Sequence, residues 1–138
     1  MSDPLTLVRA QELVSRAVSE AEAAGSRLNV AVVDAGGNLL AFARMDGAFL
    51  GSIDVALGKA STSVAFQMTT SDLAPLVVPG QPLYGIEQAR PGIVAIGGGA
   101  PLLDGDEVVG ALGVSGGTVP DDSALAERVA ASFAGGAS

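Results

Sequence analysis

The 138-residue chain has no histidine, no cysteine and no tryptophan, and only one tyrosine. Each absence removes a class of chemistry. Without cysteine there are no disulfides and no thiolate to act as nucleophile or metal ligand. Without histidine the commonest general base and the commonest metal ligand are missing, so neither a zinc site nor a Ser-His-Asp triad can be assembled within the chain. Charge is sparse and one-sided: seven Lys and Arg against fifteen Asp and Glu give a net charge of −8. With no basic cluster to offset it, such a surface is repelled by phosphate backbones, and nucleic acid is not an expected partner. No apolar run free of breakers reaches the roughly 18 residues of a membrane span. Met1-Ser2-Asp3-Pro4 lacks the basic and apolar regions of a secretory leader. The expectation is a cytoplasmic protein with no membrane partner.

What remains is largely apolar, 49% of residues, which excludes disorder. At this length one core is affordable, and neither a repeat nor a linker divides the chain. Residues 1–138 read as a single domain. Charged residues make up only 16%, too few to cover a monomer of this size, so part of the surface is expected to be buried against further copies.

Apolar residues Leu7, Ala10, Leu13, Val14, Ala17, Val18 and Ala21 recur at helical spacing and predict a first helix ending near Ala24. Its cap is Asp3-Pro4 or Thr6, and Gly25 suits its C-terminal stop. Residues 29–33 and 39–44 flank turn chemistry at 34–38 and predict a β-hairpin. A second helix, capped by Ser52, is expected over 53–66, with a core stripe of Ile53, Ala56, Leu57, Ala60 and Val64. Its second face (Ser52, Val55, Lys59, Ser63, Phe66) is small and nearly uncharged, which predicts a helix covered on both sides, by an oligomer interface or, as the alternative, by the rest of the monomer. A short turn opens at Ser71-Asp72-Leu73, and residues 79–92 are irregular. Strands are expected at 93–96, 101–103 and 107–114, and a last helix capped at Asp121 or Asp122 ends near Phe133. Hairpins imply antiparallel pairing, hence an α+β domain and not a doubly wound nucleotide fold.

Several segments together carry a family resemblance. They are residues 32–39 continuing to Phe42-Ala43-Arg44-Met45-Asp46-Gly47-Ala48, then Gly58-Lys59-Ala60, and Val109 through Gly117. Between them, Pro82-Leu83-Tyr84-Gly85-Ile86 and Gly97-Gly98-Gly99-Ala100-Pro101 also fit. In this order they resemble the GlcG/HbpS-like family, which includes the C-terminal domain of PduO-type proteins. The resemblance implies a profilin-like fold, a five-stranded antiparallel sheet with helices on both faces. It also implies dimers that assemble further, often to octamers, and members associated with heme or corrinoids. Where many relatives carry histidine, this chain has Asn38, so heme bound here would have no imidazole ligand. Tyr84, Met45 and Met68 are the remaining side chains able to coordinate iron.

The residues able to carry chemistry are few. Arg44 and Asp46 lie two apart at a strand exit, a carboxylate or phosphate clamp beside an acid/base group, with Met45 between them. A structural ion pair is the alternative. Lys59, the only cation of its helix, binds an acidic ligand, acts as a base of depressed pKa, or pairs with an acid of its own or another subunit. Gly97, Gly98 and Gly99 permit close backbone approach and an oxyanion site, or form a bulge. Ser115 opens a Ser-Gly-Gly-Thr entry to the last helix, where anions bind unless Asp121 and Asp122 already cap that terminus. Tyr84 lines a pocket or anchors its loop. Three functions follow. One is an oligomeric small-molecule binder, with heme as the specific ligand. Another is a cofactor-independent isomerase, lyase or hydrolase acting on a small anionic metabolite through Asp46, Lys59 and Tyr84. The third is a ligand-free structural or regulatory oligomer. No metal site is expected.

Overall fold

The computed structural model describes residues 5–134. Helix α1 (Leu7–Ala23) starts at Thr6, whose hydroxyl accepts the Arg9 N–H at 3.2 Å; the alternative cap at Asp3-Pro4 lies outside the described residues. The helix stops where expected. Gly25 takes a left-handed φ of 75°, and the Ser26 N–H returns to the Ala21 carbonyl at 2.8 Å, closing a Schellman turn.

Strands β1 (Asn29–Asp34) and β2 (Leu39–Arg44) form the predicted hairpin. Asp34 builds its turn, accepting the backbone N–H groups of Gly36 and Asn38, each at 2.9 Å. Strands β3 (Gly99–Asp104) and β4 (Glu107–Ser115) form a second hairpin, and β4 pairs with β1, giving an antiparallel sheet ordered β2-β1-β4-β3.

Among the described residues this sheet has four strands, not the five expected. The missing one is the segment 93–96. Its backbone is claimed by helix α2 (Gly51–Phe66): the Thr62 hydroxyl accepts the Val94 N–H at 2.8 Å and donates to the Gly92 carbonyl at 3.3 Å. These bonds hold the segment against the helix, and 93–96 joins no ladder of the sheet. The triple glycine therefore opens a strand and does not interrupt one.

Helices cover both faces, as expected of this α+β domain. On one side α1 and α4 (Val119–Ala134) pack on Val30, Val32, Leu102, Leu112 and Val114. Full burial of a leucine such as Leu102 or Leu112 contributes on the order of 2 kcal/mol. On the other side α2 lies on Ala31, Val33 and Ala111 through Ala60 and Val64. These residues are small because the helix backbone almost touches the sheet. A Cβ on Gly113 would lie 2.7 Å from the Ala60 nitrogen and closer still to the Ala56 carbonyl.

Three helix starts differ from expectation. Ser52 does not cap α2; Leu50 holds that position with no side-chain bond, and the Ser52 and Ile53 N–H groups turn back to the Phe49 and Leu50 carbonyls. The short α3 (Thr70–Leu73) is capped by Thr69, not at Ser71. At α4 the Thr118 hydroxyl accepts the Asp121 N–H, which frees Asp122 to turn inward. The supposed outer face of α2 is also corrected. Lys59 and Ser63 are buried inside the protomer, and residues 92–95 cover Gly58 and Thr62 from above. Much of this helix's low charge is therefore explained within one copy. Among the described residues no helix is long and apolar enough to cross a membrane.

Candidate functional site

The strand register gathers most of the chemistry-bearing residues at one end of the sheet. Arg44 at the end of β2 faces Asn29 at the start of β1, which faces Ser115 at the end of β4. Opposite residues of paired strands share a face, so the three form a row about 10 Å long. Gly99, at the start of β3, faces Gly113 two residues before Ser115. Helices α2 and α4 both begin at this end.

The interior of the site is a buried ion pair. Lys59 is 2% exposed and Asp122 3%. The Lys59 Nζ donates to the Val114 carbonyl at 2.9 Å and lies 3.7 Å from Asp122 Oδ2. Burial pulls the Lys59 ammonium below its ordinary pKa, opposed by the charge of Asp122. Burial likewise raises Asp122, opposed by Lys59 and by the backbone N–H groups of Gly117 and Gly116. The Gly117 N–H reaches Asp122 Oδ1 at 3.1 Å.

The triple glycine is the roof of this pair. At Gly98, with φ 131°, a Cβ would sit 2.5 Å from the Val114 carbonyl and 2.7 Å from the Lys59 Nζ. Gly99 packs on the Lys59 backbone and donates its N–H to the Thr70 hydroxyl at 2.8 Å; Gly97 packs on Ser123 and Val119. The space beside the three glycines is filled by the chain's own atoms. One polar group nearby is unspent. Asn29 donates to the Phe49 carbonyl at 3.1 Å while its own Oδ1, fully buried, has no partner among the described residues. Phe49 and Leu50, just above, are about 70% exposed.

The accessible part is a cleft of about 510 Å³ between the end of α1 and the exit of β2. Val18, Ala43 and Met45 form its apolar lining, and its charges balance, Arg27 and Arg44 against Glu22 and Asp46. Gly47 adopts φ 80° with the Arg27 guanidinium lying across it. Met45 sulfur accepts the Leu28 N–H at 3.3 Å.

The sequence candidates thus fall into three places. Arg44, Met45 and Asp46 share the cleft; Lys59, Gly97, Gly98, Gly99 and Ser115 surround the buried pair. Tyr84 stands apart, 66% exposed, on a loop anchored by Leu83 and Ile86 against Phe66 and Met68 at the far end of α2. That helix is 16 residues, so Tyr84 and Arg44 lie toward opposite ends of a rod of about 24 Å. Sequence reasoning missed Asp122, Asn29 and Arg27. Only the first had a signal: an isolated cation in an apolar helix demands an acid, and two aspartates follow the Ser-Gly-Gly-Thr turn.

Comparison with known proteins places this arrangement. Residues 5–131 match the family described as haem degrading protein, HbpS-like. The chain belongs to the HbpS-like family. A relative from Citrobacter freundii, an uncharacterized 15.0 kDa protein of the dhaT-dhaS intergenic region, is 40% identical over 126 residues, covering 89% of this chain and 87% of its own. The corrinoid adenosyltransferase PduO of Citrobacter freundii is 36% identical over 130 residues, 94% of this chain but 39% of the transferase. Among solved structures, the PduOC:heme complex superposes with a TM-score of 0.87 at 35% identity, covering 92% of this chain and 93% of that one.

Whether this HbpS-like chain suits heme is decided by its own donors. Imidazole and thiolate are absent from the sequence. The Met45 sulfur is already engaged by Leu28, Met68 packs on the Leu73 and Val77 cluster, and Tyr84 is remote from the cleft. These residues do not fit an iron held by an axial side chain at the cleft. They do fit an apolar, carboxylate-bearing ring, whose acids Arg27 and Arg44 could pair and whose face Val18, Ala43 and Met45 could meet.

Proposed function

We infer that this HbpS-like protein is an oligomeric small-molecule binder whose ligand is an anionic tetrapyrrole, held by ring and carboxylate contacts without a ligand to iron. The observation that carries this reading is the cleft at the end of the sheet in which Arg27 and Arg44, each available to a ligand acid beside Glu22 and Asp46, border an apolar patch. The 35% identical heme complex supports it from outside. Arg44 and Met45 are the contact residues, and Ser115 with Gly97, Gly98 and Gly99 holds the adjoining wall in shape. A cytoplasmic location and assembly from dimers, up to octamers, belong to the same reading.

Titration with hemin tests it. The expected result is a sharp Soret shift that saturates at fixed stoichiometry, weakened about tenfold in Arg44→Ala by loss of one charge-assisted contact. Binding that never saturates, or that ignores the substitution, overturns it.

One feature favours the enzymatic alternative: Lys59 and Asp122 lie 3.7 Å apart in a buried site that disfavours the charge of each, a frequent setting of catalytic pairs. A group that is 2% exposed meets no substrate unless the glycine roof lifts. The binding reading therefore stands first.

A further inference from the structure

The sheet has two edges, and they are built differently. Edge strand β3 carries Pro101, which has no N–H to offer, and ends in the charge of Asp104. These are ordinary protections against another strand adding on. Edge strand β2 reads Leu39-Leu40-Ala41-Phe42-Ala43-Arg44, with no proline and a single charge at its end. One irregularity, the register shift opposite Val32 and Val33, leaves Leu40 unpaired, and beyond it residues 41–44 run straight.

The direction of the free backbone groups follows from the register. The Met45 N–H donates to the Leu28 carbonyl at 3.0 Å, which fixes the alternation of the β1–β2 ladder. Ala43 and Ala41 then spend their backbone groups on β1. Phe42 and Arg44 point theirs away from the sheet. Their side chains share the α2 face, where Phe42 packs with Ala31 and Val64, while Ala43 faces α1.

This pattern is self-complementary. A second β2, antiparallel and centred on Ala43, would place Phe42 of each copy opposite Arg44 of the other. Four backbone hydrogen bonds result, two per Phe42–Arg44 pair. Each Arg44 side chain would leave its strand beside the other copy's Phe42, so the guanidinium rests on that ring, a favourable cation–π neighbour, when no ligand acid engages it. The two Ala43 side chains would meet on the opposite face as a directly opposed pair, where like charges would repel. Hollows flank the strand on both faces, bordered by Val14 and Leu40 on one side and by Leu57 and Ser61 on the other, leaving room for the second copy.

We propose that β2 is a self-association edge, joining two copies around Ala43 into one continuous eight-stranded antiparallel sheet. The pairing brings the second copy beside Ala43 and Arg44, so each dimer carries two of the clefts at its seam. This rests on the oligomeric part of the functional reading, and the test separates the two.

Light scattering and amide hydrogen exchange on the full chain, with circular dichroism as the fold control, decide it. Ala43→Lys sets two ammonium groups face to face and should lower the molar mass at least twofold at equal concentration. Ala43→Ser should not. In the wild-type chain, exchange at Phe42 and Arg44 should be slow, although the protomer gives their N–H groups no ladder partner. If Ala43→Lys loses its fold, the wild-type exchange alone decides. A monomeric wild-type chain with fast exchange at both amides overturns this proposal and the oligomer reading together. An oligomer with fast exchange at Phe42 and Arg44, or one unchanged by a folded Ala43→Lys, overturns only the β2 edge.

Discussion

Replacing Asp122 by Asn should destabilise the protein by about 3–5 kcal/mol. The magnitude comes from the geometry. Asn keeps the shape and still accepts from the Gly117 N–H, but it removes the charge 3.7 Å from the Lys59 Nζ. At an effective dielectric of about 20, that attraction is about 4 kcal/mol. Lys59 would then keep only the Val114 carbonyl, with 2% exposure and no route to water. Against the 5–15 kcal/mol that roughly spans small-domain stabilities, this is a large share. Adding Lys59→Met to Asp122→Asn should recover most of the loss, because an apolar side chain of similar length carries no charge to strand. Urea unfolding followed by circular dichroism, at fixed protein concentration so that association is held constant, gives both numbers. A single variant within about 1 kcal/mol of wild type would refute the reasoning, since Lys59 would then have solvent or another acid. Failure of the second substitution to rescue would equally contradict it.

Other consequences are quick to check. Gly98→Ala should cost about 3 kcal/mol or more, because a methyl there meets the Val114 carbonyl and Lys59 at a φ of 131°. At Gly25, with open space around it, alanine should cost only about 1 kcal/mol; thermal melts compare the two. Asp34 is held below its usual 3.8, first by the Asn38 backbone N–H and then, against a smaller desolvation, by that of Gly36. A carboxylate lowered in the fold stabilises fully above pH 3.8 and loses that contribution as pH falls through its lowered value. The melting temperature of wild type minus that of Asp34→Asn should therefore be positive at neutral pH and vanish in acid.

How much was legible beforehand depended on the range of the interactions. Helix α1, both hairpins and the extent of α4 follow from periodicity and turn residues within a few positions of one another. The strand expected at 93–96 failed because a hydroxyl 32 residues away, Thr62, takes its backbone. Local pattern carries no information about such a partner. The same holds at Asp122, where a plausible helix cap was diverted by a lysine across the sheet end. Lys59 itself was readable as a residue needing an acid, yet its direction was not, since a helical wheel gives a face but not what covers it. Arg44, Met45 and Asp46 were found together because a single strand exit carries all three. Tyr84 separated from them because its loop is anchored on Phe66 and Met68.

The central claim, a tetrapyrrole bound by its ring and acids with iron left unligated by the chain, is tested most directly by titrating protoporphyrin IX and hemin side by side. Removing the metal should change affinity by no more than about threefold, and Arg44→Ala should weaken both alike. Saturable hemin binding with no binding of the metal-free ring would contradict the account, because the iron would then be finding a side chain the cleft does not offer.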